Sequence, residues 1–306
     1  MGWFSKKKEQ KKQKEQDNPE VRPGGVFMVQ LLMIEPCAIP PREQMGEVLS
    51  RYLGNVEAFG GEEPESEFAG FAALDHIVEF EDGKRPVLLS VMGCQSFQAE
   101  QIDEMKRNQM WDRMEDGSQT FCRDHLEDYK YAVLAHDMLG GGMESQERAN
   151  MLMDYLEALL ELYPSCEAVY FVNSGRLVLA EKIRRKESTG LDRYVHFAVN
   201  ARFFNISGTE DSVVDTLGLS LLYIEDLQYH FHGMDPDWVV RHAYSMASYL
   251  LKNNAPIKDG DTIDGVEDGQ LRQDIQWKCH FENALVKPER VVLDVCMGEF
   301  ASGSRG

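Results

Sequence analysis

Long hydrophobic runs, secretion signals and paired cysteines are all missing from this sequence. No stretch approaches about 18 consecutive apolar residues, so we expect no transmembrane helix. The N-terminus has no apolar segment followed by a cleavage site, so no secretory signal is expected. The six cysteines are spread along the chain without a C-x-x-C pair, which is typical of reduced core cysteines. Together these features predict a cytoplasmic protein.

Positive charge is scarce. The 306 residues include 52 Asp and Glu against 32 Lys and Arg, and the net charge is −20. Residues 1–16 carry six lysines and two glutamates, so the rest of the chain stands at −24. An acidic body repels phosphate backbones, which excludes nucleic acid as the expected partner. Residues 1–25 are predicted to form a disordered basic tail. Peripheral membrane contact through residues 1–12, where Trp3 and Phe4 adjoin lysines, is the alternative for this tail.

Catalytic and nucleotide-binding motifs are missing as well. The chain contains no Walker loop, no G-x-G-x-x-G and no H-E-x-x-H. Ser174 lies in an Asn-Ser-Gly-Arg turn and not in a G-x-S-x-G elbow, so it is a poor nucleophile candidate. We therefore predict no cofactor, and the sequence favours a protein that is not an enzyme.

The secondary-structure pattern repeats one order of elements, a strand followed by a helix and a hairpin. The first two units have predicted strands and helices at Val26–Glu35, a helix after Pro40-Pro41, Phe71–Phe80, Pro86–Met92, Tyr131–Leu139, Ser145–Tyr163, Ala168–Asn173 and Leu177–Ile183. The third has predicted elements at Tyr194–Asn205, Leu217–Tyr223, Leu227–His232, Asp235–Leu251, Ile275–Phe281 and Arg290–Cys296. This order predicts an α+β fold, with helices packed on mainly antiparallel sheets in a ferredoxin-like arrangement. Residues 26–190 are predicted to be an N-terminal α+β region, and residues 191–300 a C-terminal α+β domain.

The chemically richest segment is Tyr229–Asp237. In a strand, His230 and His232 would share one face and Tyr229 the other. Two imidazoles at this spacing could hold a divalent metal, with Asp235, Asp237 or His242 as a further ligand. In the other interpretation, the histidines make hydrogen bonds to backbone or carboxylate groups, and Asp235 only caps the helix that Pro236 begins.

The helix after Asp235 has two faces of interest. Val240, Ala243, Ala247 and Leu250 make a core stripe. The opposite side holds Trp238, His242, Ser245 and Tyr249. Either another layer of the chain covers this second stripe, or it is a partner or ligand surface. The candidate binding residues are therefore His230, His232, Asp235, Trp238, His242 and Tyr249.

Three stretches of the C-terminal third resemble the bacterial domain of unknown function 4261 family: Thr216–Leu219, Gln228–Pro236 and Ile257–Ile263. Leu159–Pro164 and Ala168–Leu177 are similar to the upstream region of the same proteins, so the resemblance spans most of 26–298. It departs mildly at Phe171, where a tryptophan is expected. The resemblance implies a cytosolic bacterial protein, and it implies no activity because the family has no established catalytic residues.

Two functions follow as hypotheses. The first is a non-catalytic cytosolic binding or interaction protein of the immunity or accessory type, with another protein as its partner. The alternative is a metal-dependent hydrolase-like enzyme that uses His230 and His232 as ligands and Asp235 as a ligand or base.

Overall fold

The computed structural model describes residues 25–60, 67–110 and 118–303. The first part of the chain forms an antiparallel sheet, which we call sheet 1. Its strands lie in the order β2-β3-β4-β6-β1-β7-β8, and β5 pairs with β6. The strands are β1 Met28–Met33, β2 Val56–Phe59, β3 Phe68–Phe80, β4 Gly83–Met92, β5 Gln95–Ser96, β6 Tyr131–Met138, β7 Ala168–Phe171 and β8 Arg176–Leu179.

Sheet 1 is covered on both faces. Its helices are α1 Arg42–Leu53, α2 Glu104–Asn108, α3 Ser118–Asp124, α4 Ser145–Leu162 and α5 Ala180–Arg184. Side chains alternate along each strand, so Leu31 joins the large core beneath α1 and α4 while its neighbour Leu32 joins a smaller cluster on the other face. Cys122 of α3 belongs to that smaller cluster.

Residues after 190 form the second sheet, sheet 2, in the order β12-β13-β14-β11-β10-β9. Its strands and helices are α6 Asp192–Ala198, β9 Asn200–Asn205, β10 Ser212–Leu217, β11 Asp226–Phe231, α7 Pro236–Lys252, β12 Thr262–Glu267, β13 Gln270–Asn283 and β14 Val291–Cys296. Strands β11 and β14 are parallel, and the other pairs of sheet 2 are antiparallel.

One hydrophobic core runs through both sheets. It includes Val29 of β1, Leu156 of α4, Tyr229 of β11 and Val240 of α7. The predicted division into regions 26–190 and 191–300 matches the division into sheets, and as a division into domains it stays a prediction.

The predicted α+β class is confirmed, since helices pack on largely antiparallel sheets. The ferredoxin-like arrangement stays a prediction. Three segments predicted as strands have other structures: Tyr194–Ala198 belongs to α6, Leu219–Leu222 forms a 3-10 turn, and Ala180–Ile183 belongs to α5. Among the helices of the described residues, none has both the length and the apolar character needed to cross a membrane. The predicted tail over residues 1–25 lies, except for Gly25, outside the described residues.

Candidate functional site

The end of β11 and the start of α7 have the predicted local structure. Asp235 is the N-cap of α7, its Oδ1 accepts a hydrogen bond from the Asp237 amide at 2.9 Å, and Pro236 opens the helix. Gly233 has a φ of +66°, which lets the chain turn sharply between strand and helix. Tyr229 and Phe231 face the core, as the alternation of a strand requires.

The second stripe of α7 does not form one continuous surface. Trp238 is half-buried and His242 is only 2% exposed, whereas Ser245 is exposed and Tyr249 is 46% exposed. The stripe therefore divides into an inner half that the same chain covers and an outer half that faces solvent. The chain's own residues cover His242, and a partner or ligand surface on this helix stays a prediction.

His242 is held by two hydrogen bonds. Its Nε2 lies 2.9 Å from the Asp264 carbonyl oxygen, and its Nδ1 lies 2.9 Å from the Tyr229 hydroxyl. A carbonyl only accepts, so we assign the proton to Nε2, and Nδ1 accepts from Tyr229. Burial lowers the pKa of His242 to about 4, so the ring is neutral at physiological pH. The ring also packs edge-on against Trp277, with ring centres 5.1 Å apart.

Next to this histidine lies a pocket of about 470 Å³, which we call the aromatic pocket. Its floor is buried and consists of Val266, Trp277 and Met297. Its half-buried sides are Met234, Trp238, Ile275 and Phe300. The exposed rim carries Asp235, Glu267, Asp268, Gln276, Gly298 and Glu299. The pocket thus lies between the start of α7, the β12–β13 hairpin and the segment after β14.

Two glycines allow the two indole rings of the pocket to pack directly against the backbone. A Cβ on Gly265 would lie 2.8 Å from Trp277 Nε1, so the Trp277 ring rests directly on the backbone where β12 is irregular. A Cβ on Gly269 would lie 3.1 Å from Trp238 Nε1. Asp268 and Gly269 both have positive φ, as a tight two-residue hairpin turn requires. The hairpin turn therefore packs against the Trp238 ring.

The rim is acidic. Four carboxylates line the aromatic pocket, from Asp235, Glu267, Asp268 and Glu299. Arg272 forms an ion pair with Glu267 and another, at 2.6 Å, with Asp274. Asp268 and Glu299 form no side-chain hydrogen bond or ion pair with another residue in the described ranges. Arg272 also interacts electrostatically with Asp268, so this single cation faces several carboxylates and the pocket entrance keeps a net negative charge.

The predicted histidine pair lies on the other side of β11 and serves a different purpose there. His230 is buried, with its Nε2 3.5 Å from Asp211 Oδ2. Ser302 Oγ donates to Asp211 Oδ1 at 2.8 Å, so it accepts from His232 Nδ1 at 3.0 Å. Backbone bonds add to this contact, from the His232 amide to the Phe300 carbonyl and from the Ser302 amide to the His230 carbonyl. We call this group the clamp, because it fixes the segment 298–302 to β11.

The geometry gives the metal hypothesis no support. His230 contacts Asp211, His232 contacts Ser302, and Asp235 caps α7. In residues 25–60, 67–110 and 118–303, no group of three His, Cys, Asp or Glu side chains is placed to hold a metal ion. A metal at His230, His232 and Asp235 stays a hypothesis that only elemental analysis of the purified protein decides.

Comparison with known families bears on the same region. The model of the family described as Domain of unknown function (DUF4261) matches residues 215–296. Residues 215–296 are therefore similar to the DUF4261 family. No curated protein and no solved structure matches the chain significantly. The match confirms the resemblance stated from the sequence motifs, over the C-terminal part of the span expected for it.

The segment that the DUF4261 model matches supplies most of the aromatic pocket. Trp238, Val266 and Trp277 all lie within 215–296, whereas Met297 and Phe300 follow the matched segment. Sequence reasoning identified Asp235 and Trp238 but missed Trp277 and Phe300. A signal for the pocket wall was present in Asp268-Gly269, which is a strong hairpin dipeptide between two strands.

The clamp predicts a specific effect on the pocket. We expect Ser302→Ala to loosen the wall that carries Glu299 and Phe300 while sheet 2 stays folded, because the change removes one hydrogen bond to Asp211 and one to His232. The expected cost is about 1–3 kcal/mol locally. Hydrogen exchange of the amides of 298–302 should accelerate, and amides of β13 should be unchanged. If the amides of 298–302 exchange at the same rate in the variant as in the wild type, the clamp does not have this role.

Proposed function

We propose that the protein is a non-catalytic binding or interaction protein, of the immunity or accessory type, and that its binding site is the aromatic pocket. The observation that carries the proposal is the pocket itself, a cavity of about 470 Å³ walled by two tryptophans and a phenylalanine. Cavities of this size and lining are the usual form of small ligand sites. Tryptophan is also among the residues that most often dominate the energy of protein interfaces.

The use of tryptophan in this chain supports the same proposal. The sequence has four tryptophans, and two of them line one pocket. Trp277 is 2% exposed and braced by His242, so the floor is rigid before any ligand arrives. A rigid site loses less conformational freedom on binding than a mobile one. The site is thus suited to binding.

We also propose that the protein acts in the cytoplasm. All six cysteines are free thiols, and Cys122, Cys166 and Cys279 are buried in apolar surroundings. Burial raises the pKa of each of these three thiols to about 12. Six unpaired thiols are typical of proteins kept in a reducing compartment.

The test compares two substitutions on the same helix. Protein isolated from a lysate of its own cells is analysed by native mass spectrometry and size exclusion, as wild type, Trp238→Ala and Tyr249→Ala. We expect a bound species with the wild type, at least tenfold less of it with Trp238→Ala, and no change with Tyr249→Ala, since Tyr249 lies on α7 outside the pocket. Circular dichroism verifies that both variants are folded. A bound species that Trp238→Ala retains, or no bound species at all, would count against the proposal.

A further inference from the structure

We infer that the aromatic pocket binds an organic cation, that is, a positively charged alkylated ammonium or guanidinium group carried by a small molecule or by a side chain of a partner protein. The inference rests on the proposed function and names the chemical class of the ligand. Three features of the pocket carry it: its charge, its aromatic rings and the state of the helix end beside it.

The charge around the pocket selects the sign of the ligand. The described lining residues include four carboxylates and no Lys, Arg or His. Arg272 lies outside the lining, pairs with Glu267 and also interacts electrostatically with Asp268, so one positive charge stands against the four lining carboxylates. The remaining net negative charge attracts a cation and repels an anion, and this attraction is strongest where the ligand leaves bulk water.

The aromatic rings select the kind of cation. Trp238, Trp277 and Phe300 supply three aromatic rings, and an indole face is the best partner for a cation. Met234 and Ile275 add apolar contact for alkyl groups. An inorganic cation needs converging oxygen or nitrogen ligands, and the described residues contain no group of three that could provide them. An organic cation satisfies both the carboxylates and the apolar walls.

The start of α7 is the one feature that could favour an anion instead. A helix N-terminus carries partial positive charge and free amide groups. Here Asp235 Oδ1 accepts a hydrogen bond from the Asp237 amide, and Pro236 has no amide proton. Both Asp235 and Asp237 place negative charge at the first turn. The helix end is therefore satisfied from within the chain, and the cation assignment stands.

The test uses choline and its uncharged isostere, in which a tert-butyl group replaces the trimethylammonium group. Binding to the full chain is measured by tryptophan fluorescence and by calorimetry. We expect choline to bind about tenfold or more tightly than the isostere. Trp238→Ala should abolish binding, and the Asp268→Asn, Glu299→Gln double variant should weaken choline without affecting the isostere. Asp82→Asn, an exposed carboxylate outside the pocket, is the matched control and should change nothing.

A second pair of probes distinguishes the two sources of the cation. Short peptides with a central lysine, a trimethylated lysine or an uncharged norleucine are titrated in the same way. Tighter binding of the charged peptides than of choline indicates a partner side chain, and the reverse indicates a free small molecule. If the isostere or the norleucine peptide binds as well as its charged counterpart, the cation inference is wrong while the pocket remains a binding site. If none of these probes binds but Trp238→Ala still removes a cellular ligand, the cation inference alone fails.

Discussion

Replacing Arg290 with methionine is expected to lower the free energy of unfolding by about 3–5 kcal/mol at neutral pH, because it leaves a buried carboxylate without its partner. Arg290 is 3% exposed, and its Nη2 donates to Asp215 Oδ2 at 2.7 Å and to the Thr216 carbonyl at 3.0 Å. Its Nε lies 3.4 Å from Asp226 Oδ2. Arg202 binds the other side of Asp215 through two hydrogen bonds, so the two arginines balance the two aspartates.

The loop before β14 depends on the same guanidinium. Arg290 Nη1 donates to the carbonyls of Val286 and Pro288, at 3.2 and 2.9 Å. Methionine has about the same length but cannot donate, so the variant loses these bonds together with the ion pairs. We therefore expect faster hydrogen exchange in residues 284–290 as well as a lower midpoint in urea.

The pH dependence of the Arg290→Met variant provides an independent check. Burial raises the pKa of Asp226, and the Arg290 guanidinium opposes that rise. Without Arg290 the pKa of Asp226 rises further, so the folded variant binds a proton that the unfolded chain does not. Stability relative to the wild type then recovers as the pH falls. The Asp226→Asn change added to Arg290→Met should likewise recover part of the loss.

The matched control is Arg272→Met. Arg272 also pairs with two carboxylates, Glu267 and Asp274, but it is partly exposed to solvent. Ion pairs of this kind contribute at most about 1 kcal/mol. If Arg290→Met and Arg272→Met lower the free energy of unfolding equally in urea titrations, burial does not make the ion pairs of Arg290 more stabilising than exposed ones.

The parts of the fold that could be predicted are those with local signals. Asp235 and Pro236 fix the start of α7 through a cap and a preset φ, and neither depends on the rest of the chain. The alternation in β11 likewise placed Tyr229 in the core and His230 on the opposite face. These local rules act over a few residues, and for that reason a single sequence reveals them.

The segments assigned wrongly are those where tertiary contacts decide. Tyr194, Val195 and Phe197 are aromatic or β-branched residues, which favour a strand. They form a helix instead, with the Tyr194 hydroxyl bonded to the Gly218 carbonyl at 2.8 Å. Gly218 adopts a φ of +127°, and a Cβ there would lie 3.0 Å from the Ala198 carbonyl, so the chain turns where a strand was expected. Packing thus overrides the local preference in both segments.

The candidate site could be predicted only in part for a related reason. Asp235 and Trp238 lie in one continuous segment and were found. The other walls come from residues 266–277 and 297–300, and only the pairing of strands brings them to α7. The histidines were singled out correctly as unusual, but their partners Asp211 and Ser302 are 19 and 70 residues away. No spacing rule within a motif could have identified the clamp.

His242 should make stability depend on pH in a window that the sequence alone does not indicate. The pKa of His242 is about 4 in the folded protein because of burial, against an ordinary value of 6.5. The unfolded chain therefore binds a proton between these values and the folded chain does not, so stability falls as the pH drops from about 6.5 to about 4. The free energy of unfolding lost through this one group is on the order of 3 kcal/mol. The loss is absent above about pH 6.5.

The experiment isolates His242 by difference. Urea unfolding is followed across the pH range for the wild type and for His242→Gln, whose amide can still donate toward the Asp264 carbonyl but does not titrate. Other groups titrate in both proteins and cancel in the difference. The exposed His125 gives the matched control, and His242→Gln should differ from the wild type by more than His125→Gln does. Parallel curves for the wild type and His242→Gln between pH 4 and 6.5 would show that the folded protein accepts the proton without cost. A difference that grows as the pH falls would instead confirm that folding keeps the ring of His242 neutral, bonded to Tyr229 and packed on Trp277.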